Sequence, residues 1–383
     1  MGKKKEVLKT VERADSFAKV RALTKDLNKH YGSNLLKSGK DIPVIHKVPF
    51  GEPALDYVSD GGIPIGRFTE LLGQEHSGKT RNALKGMGNF QKYCFSCHTP
   101  FTITAVWETT KEGEPNLVSC KCSNCSTPET KIQVMIDIEG TTDPTFMKNF
   151  DIDIKGIIYV RTDMPSQAVG IMDAYLRSPD IGMILMDSVG SMGSDKEVEQ
   201  AIEDNKMNQN ALFLNKAMRK WQAALNSNTN ETGKENGATP VIVNQSYMSI
   251  GIYSTDIPQG GRGLRHGKGL SLKTRIREIN RDSNTKEVFG VHVVMKNEKN
   301  KTGIPYRQKE YYLNLDPRDT EVGYCQTNVT IQLIEMAIEM GIIEQRGAWF
   351  YYEDDKWNGK AKLMDDMPQK AADEVNRRLT VKE

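Results

Sequence analysis

Long hydrophobic runs are missing from this chain: no apolar stretch approaches the length a bilayer requires, so a membrane span is excluded. The opening Gly2-Lys3-Lys4-Lys5-Glu6 lacks the apolar core of a secretory signal, and a cytoplasmic location is expected. Net charge is nearly absent as well. The 52 basic and 50 acidic residues leave +2, which excludes a whole-molecule field as the source of nucleic-acid affinity. Any such contact must come from local clusters, of which Lys3 to Lys5 is one. Cysteine is missing before Cys94 and again between Cys125 and Cys325. In a cytoplasmic chain that uneven use points to a metal and away from a disulfide framework. There is no internal repeat to suggest a solenoid. What is present is globular: 383 residues, 38% hydrophobic and 27% charged, enough for one large α/β domain with smaller modules.

Four pieces can be separated. Residues 1–48 are charged and helix-prone, with Phe17, Val20, Leu23 and Leu27 at helical spacing. Residues 49–320 alternate apolar strands with helical stretches, the pattern of a mainly parallel sheet. Strands are predicted at 67–72, 133–138, 156–160, 183–186, 240–244, 270–279, 287–295 and 309–315. A Cys-rich segment, 93–130, interrupts this core. Residues 321–383 form a small, helix-rich C-terminal α/β unit in which Ile331, Ile334 and Ile338 share a helix face. Asn226 to Gly237 reads as a polar surface loop, and Ser246 to Gly263 as a second loop without core pattern.

The most specific motif is Gly73-Gln74-Glu75-His76-Ser77-Gly78-Lys79-Thr80, a full G-x-x-x-x-G-K-T phosphate loop between a predicted strand and helix. Its glycines let successive N–H groups turn toward a triphosphate, Lys79 adds a charge near the β/γ-phosphates, and the Thr80 hydroxyl suits Mg²⁺. Two later strands end in acids. Asp187 closes Met183-Ile-Leu-Met-Asp187, where a carboxylate can hold the metal's water shell. Glu139 follows Val134-Met-Ile-Asp137-Ile and is a candidate general base toward water. A third strand ends in Asn244-Gln245, amides suited to sensing a γ-phosphate. Arg262, Arg265, His266 and Lys268 crowd a glycine-rich stretch, and Lys299-Asn300-Lys301 follows a strand; both suit phosphate contact.

Cys94-x-x-Cys97 and Cys122-x-x-Cys125 are two knuckles, each able to offer two thiolates to a structural zinc, with Cys120 and His98 as spare ligands. Four thiolates would leave no open position for catalysis.

With these residues assembled, the chain resembles the bacterial RecA recombinases, as a divergent phage-type member. Gly61-Gly-Ile-Pro-Ile-Gly66-Arg67 matches the family's approach to the phosphate loop, and Ile136-Asp-Ile-Glu139 with Asp143-Pro144 its catalytic-glutamate segment. Ala217-Met-Arg-Lys220, Asn244-Gln245, Gly260-Gly261, Lys299-Asn-Lys301 and Gly347-Ala348-Trp349 follow in family order, and Lys29-His-Tyr-Gly32 resembles the end of its N-terminal polymerisation helix. The resemblance implies a RecA-like P-loop ATPase core with an N-terminal helical polymerisation segment, a zinc-ribbon insertion and a small C-terminal domain. It implies a DNA-dependent ATPase of recombination and repair that forms a helical homopolymer on single-stranded DNA and exchanges strands with double-stranded DNA, using ATP and Mg²⁺. A ring helicase sharing this core, or an ATP-regulated coating scaffold, is the alternative.

Residue by residue, the resemblance implies that Gly73 to Thr80, Asp143, Phe146 and Asp187 hold nucleotide and metal. Glu139 would activate water, and Gln245 would couple nucleotide state to the loop behind it. Lys299 and Lys301 would reach a neighbour's ATP. DNA contacts fall on Met207, Tyr247, Met248, Ile250, Gly251 and Arg262. Tyr247 and Ser249 stand where the family has basic residues, Arg265-His266 replaces a Lys-Phe pair, and the family's acidic C-terminal tail is missing.

Overall fold

The computed structural model describes residues 14–31, 39–42, 44–192, 209–232, 238–248, 256–258 and 261–380. In chain order the strands are β1 (Lys47–Val48), β2 (Ile63–Pro64), β3 (Thr69–Gly73), β4 (Ile103–Thr109), β5 (Pro115–Cys122), β6 (Ile132–Asp137), β7 (Ile157–Arg161) and β8 (Ile181–Asp187). They continue as β9 (Thr239–Met248), β10 (Asp256–Pro258), β11 (Leu270–Arg281), β12 (Val288–Asn300), β13 (Gln308–Asn314), β14 (Glu344–Arg346), β15 (Trp349–Tyr352) and β16 (Asp355–Asn358).

The main sheet runs β13-β12-β11-β3-β9-β8-β6-β7, with β10 paired to β9. From β11 to β7 every neighbouring pair is parallel, and β12 and β13 add an antiparallel edge. A parallel sheet is covered on both faces, so its strands read as continuous apolar runs. β8 is buried at every residue. Alternation along each strand then sorts side chains to two sides. Met135, Met183, Leu185, Val241 and Val243 enter one core with helices Pro53–Ser59 and Lys79–Gln91. Val134, Ile136, Ile184, Met186 and Ile242 enter the other with helices Pro165–Leu176 and Gln209–Thr232.

All eight predicted strands exist, within a few residues of their expected ends. Two loops differ. Helix Gln209–Thr232 runs through the first half of the expected loop at 226–237, because its Leu214, Met218, Trp221 and Leu225 stripe anchors it and no glycine or proline interrupts before Gly233. Ser246 to Gly263 is not wholly irregular either: β9 continues to Met248 and pairs antiparallel with β10, and helix Gly261–Gly267 follows.

Three further units surround the sheet. β4 and β5 form an antiparallel hairpin seated on residues 154–156, where Trp107 packs against Gly156. A third apolar cluster joins Ile334, Phe350, Trp357, Leu363 and Val375; its strands β14–β16 were not foreseen among the helices. Helix Ala14–Tyr31 leaves Val20 and Leu23 more than half exposed.

Helix Lys79–Gln91 is fastened at its start by a buried charge pair. Arg81 donates to Glu52 Oε2 at 2.7 Å and to the Cys325 carbonyl at 2.9 Å, with both ionic side chains almost fully buried. Removing one partner of such a pair strands a charge in low dielectric. Glu52→Ala is therefore expected to cost about 3–5 kcal/mol in urea denaturation. Asp151→Ala, which breaks the solvent-facing Lys92 pair, should cost about 1 kcal/mol or less. Equal losses for the two would contradict this account.

Candidate nucleotide site

Four strands deliver their carboxyl ends to one edge of the sheet, the place where open α/β sheets bind ligands. β3 ends there at Gly73, β9 passes Gln245, and β8 and β6 end at Asp187 and Asp137 in register with each other. The turn from β3 into helix Lys79–Gln91 needs glycine at both ends. A Cβ on Gly73 would lie 2.2 Å from the Thr274 carbonyl oxygen, and Gly78 has φ of +81°. Ser77 pins the loop by hydrogen bonds of 2.7 Å to the Gln74 carbonyl and to Thr274 Oγ1 on β11. Gln74 to Ser77 thus lie in a tight turn before a helix N-terminus, an arrangement that concentrates N–H donors on an anion.

Lys79 Nζ donates to the Gln74 carbonyl at 2.6 Å, folded back over the loop; burial lowers its pKa, against the pull of Asp187, Glu139 and Glu75. The Thr80 hydroxyl donates to Asp187 Oδ2 at 2.7 Å. Burial pushes Asp187 up to about 6, opposed by the Thr80 hydrogen bond and reinforced by Glu139 and Asp137. A hydroxyl and a buried carboxylate in contact, with two more acids near, form a donor set that a hard divalent cation fits.

Glu139 lies just past β6 and accepts Ser188 Oγ at 2.6 Å and Gln245 Nε2 at 3.3 Å, both on Oε1. Its neighbour Asp137 behaves differently. Burial raises it, but hydrogen bonds from Thr142, Tyr159 and Gly140 outweigh burial and hold it below the usual carboxylate range. Asp137 therefore organises the turn, whereas Glu139 accepts both of its hydrogen bonds on one carboxylate oxygen.

Beside the loop opens a cavity of about 510 Å³ lined by Gly78, Thr80, Phe146, Ile276, Tyr324 and Leu315 among others. Phe146 stands on helix Pro144–Lys148, which Asp143 caps by accepting the Thr145 N–H at 2.7 Å. The Phe146 and Tyr324 rings meet edge-on with centroids 6.4 Å apart. Such a slot suits a flat aromatic group attached to a phosphate chain.

Sequence reasoning missed Ser188, Thr274 and Tyr324. Ser188 carried a signal, as the residue after the metal-side acid; Thr274 and Tyr324 are remote in sequence and carried none.

Lys299 and Lys301 do not join this site. Lys299 Nζ donates to the Arg265 carbonyl at 2.7 Å and the His266 carbonyl at 3.1 Å, and Lys301 Nζ to His266 at 3.1 Å. Ser271 pairs with both Lys299 and Glu70, near the start of β3. The phosphate loop lies past the strand's other end, roughly 10–13 Å further along the chain. Of the expected DNA contacts, Met207, Ile250 and Gly251 fall outside the described residues. Tyr247 and Met248 occupy the end of β9, opposite Ile257 and Asp256, and Arg262 lies in helix Gly261–Gly267.

Away from the sheet edge, the thiols of Cys94, Cys97, Cys122 and Cys125 converge within 4.8 Å of one another. Cys94 and Cys125 are 3.7 Å apart, Cys97 and Cys122 3.8 Å. A tetrahedron with Zn–S bonds of roughly 2.3 Å has edges of about 3.8 Å, so the spacing fits that ion. Cys120 is not in the group; it sits in β5 opposite Ala105. His98 is also set aside, stacking on His46 with centroids 3.7 Å apart.

The raised Asp187 has a consequence for the free protein. Its folded pKa of about 6 exceeds the reference 3.8, so the native state holds the proton more tightly than the unfolded chain. Stability contributed by that protonated form is present below pH 4 and lost as pH rises to 6. Asp187→Asn is expected to stabilise the nucleotide-free protein at pH 7.5 by about 1–3 kcal/mol and by almost nothing at pH 4. Urea melts at the two pH values check this; equal effects at both would refute it.

Comparison with known proteins agrees with the architecture. A profile of the RecA N-terminal domain matches residues 102–316, more than half of the chain. Protein RecA of Chlorobaculum parvum is 27% identical over 336 residues, covering 86% of this chain and 81% of that one. Protein RecA of Acidothermus cellulolyticus is 27% identical over 360 residues, covering 92% and 89%. Protein RecA of Tropheryma whipplei is 26% identical over 378 residues, covering 95% and 74%. A phosphate loop, two acids and an amide gathered at one edge of this sheet, together with a family match across most of the core, make the chain a member of the RecA family.

Proposed function

We propose that this protein is an ATP-dependent recombinase that assembles as a helical filament on single-stranded DNA, hydrolyses ATP there, and pairs and exchanges strands with a homologous duplex. The reading takes residues 1–48 as the assembly segment, 49–320 as the ATPase core, 93–130 as a metal-bound ribbon within it, and 321–383 as a small accessory domain. The observation that carries it is the separation of the charged groups. Loop, acids and amide occupy one sheet edge, while Lys299 and Lys301 stand near the other. Cations placed so far from their own phosphate loop serve chemistry only if another copy brings its loop to them. Helix Ala14–Tyr31, with Val20 and Leu23 uncovered, supplies an apolar face for such packing.

In this reading the loop amides and Lys79 bind the phosphates. Thr80 and Asp187 hold Mg²⁺, which supplies neutralising charge when bound. Phe146 and Tyr324 flank the base. Ser188 and Gln245 grip Oε1 of Glu139, leaving Oε2 to take the attacking water's proton. When Gln245 turns to a γ-phosphate it releases Glu139, and β9 carries that change to Tyr247 and the DNA-contacting segment behind it. Lys299 and Lys301 of the adjoining copy supply charge to the transferring group.

Glu139→Gln is expected to lower DNA-stimulated hydrolysis by roughly 10²–10⁴-fold while filaments still form with ATP. Lys299→Ala/Lys301→Ala protein should bind nucleotide normally when dilute yet fail to hydrolyse it when assembled. Mixed with Glu139→Gln protein it should regain turnover, because each lacks what the other provides. Phosphate release and electron microscopy check these outcomes; no recovery on mixing would remove the shared-site reading.

The four-thiolate cluster is proposed to hold one structural Zn²⁺ that folds the β4–β5 ribbon. Elemental analysis should find one zinc per chain, and Cys97→Ser/Cys122→Ser protein should lose it. Hydrogen exchange should then quicken across 93–130 and leave the β-sheet core protected. Metal-free wild-type protein with an ordered ribbon would end this assignment.

A further inference from the structure

One buried carboxylate has no part in the mechanism above. Glu70, near the start of β3, is fully buried, as are Asn244 and Ser271, and Lys268 is nearly so. Asn244 Nδ2 donates to Glu70 Oε1 at 3.0 Å, Ser271 Oγ donates to Oε2 at 2.6 Å, and Lys268 Nζ forms an ion pair with Oε2. An ion pair this deep is weak evidence for stability, since well-packed apolar replacements often do as well. Fixed position is the better explanation of what these groups achieve.

The partners come from three strategic places. Asn244 immediately precedes Gln245, whose amide reaches Glu139. Ser271 belongs to β11, which pairs with β3 on one side and with the Lys299 strand on the other. Lys268 directly follows helix Gly261–Gly267, whose terminal carbonyls at Arg265 and His266 anchor Lys299 and Lys301. Electrostatics connects the same groups. Burial, then Lys301 and Lys268, lower the pKa of Lys299, and Glu70 opposes them.

We propose that Glu70 is a positioning residue: one carboxylate fixes the strand that presents Gln245 to Glu139 and the strand start that supports the Lys299/Lys301 pair, so it aligns both halves of the shared site. This rests on the proposed function, in which those halves meet between adjoining copies.

The test compares full-length wild-type protein with Glu70→Gln/Lys268→Met, which removes both buried charges at similar volume. Amide hydrogen exchange is read in the free protein, nucleotide affinity on dilute protein with a fluorescent ATP analogue, and kcat and KM with single-stranded DNA. The melting temperature and dilute nucleotide affinity are expected to stay near wild type. Exchange across 241–248 and 264–271 should accelerate, and DNA-stimulated kcat should fall by about tenfold or more with KM little changed. A kcat within about twofold of wild type, or unaltered exchange in both segments, overturns the proposal. Should that variant not fold, Asn244→Ala/Ser271→Ala, which keeps the ion pair, carries the same expectations and the same refutation. Wild-type protein without DNA-stimulated turnover would sink the functional reading instead; the exchange measurement, which needs no DNA, then decides the role of Glu70 alone.

Discussion

Burial of a carboxylate at the end of β8 is the constraint on which the site depends. Asp187 has left water, faces two other acids, and is satisfied in the free protein mainly by the Thr80 hydroxyl. Such a group destabilises the fold until a cation neutralises it, so in the proposed reading the cost of folding an empty site would be returned when the metal binds. The surrounding structure exists to keep that arrangement from relaxing. Ser77 ties the loop to β11, the Arg81–Glu52 pair pins the first turn of the following helix, and a Cβ at position 73 would collide with Thr274. Preorganisation of this kind is what electrostatic catalysis requires.

The parallel sheet also accounts for the division of charged groups on which the proposed shared site rests. Strand polarity sends β3, β6, β8 and β9 to a common edge, while β12, being antiparallel, ends near their beginnings. Lys299 and Lys301 are thereby separated from their own phosphate loop by the sheet itself. In the proposed reading, another copy brings its phosphate loop to these lysines, and assembly is then a precondition of turnover. The uncovered Val20 and Leu23 of helix Ala14–Tyr31 offer a face for packing between copies in the same proposed reading.

How much of this was legible beforehand follows from where each signal lives. Continuous apolar strands such as Ile181–Asp187 announce a parallel sheet because both faces are buried, and a phosphate loop announces itself because its backbone demands particular residues at particular spacings. Glu139, Asp187 and Gln245 could be brought to one sheet edge beforehand because each was expected at or just past the end of an apolar strand. Tyr324 was not: it reaches the cavity through a turn after β13, and nothing in its neighbourhood marks a binding residue. Strands β14–β16 were hidden by brevity, and Glu70 by its setting, since one acid inside an apolar strand reads as a blemish until Lys268, Asn244 and Ser271 are seen around it.

The Cys-rich segment shows why this core tolerates an insertion. It departs from the far end of helix Lys79–Gln91 and returns at the start of β6, so it joins the core at the ends of these elements remote from Lys79, Thr80 and Glu139. A hairpin this exposed cannot bury enough apolar surface to order itself: Val106, Leu117 and Val118 face solvent, and Ile103 and Trp107 are its buried anchors. Four converging thiols would solve that problem locally by holding the proposed zinc, as small domains without a core commonly do. The ribbon meets the rest of the chain at several points, among them Trp107 on Gly156, Phe101 on Gly51, Phe95 beside Phe90, and His98 on His46. The His98 contact falls on His46, directly before β1.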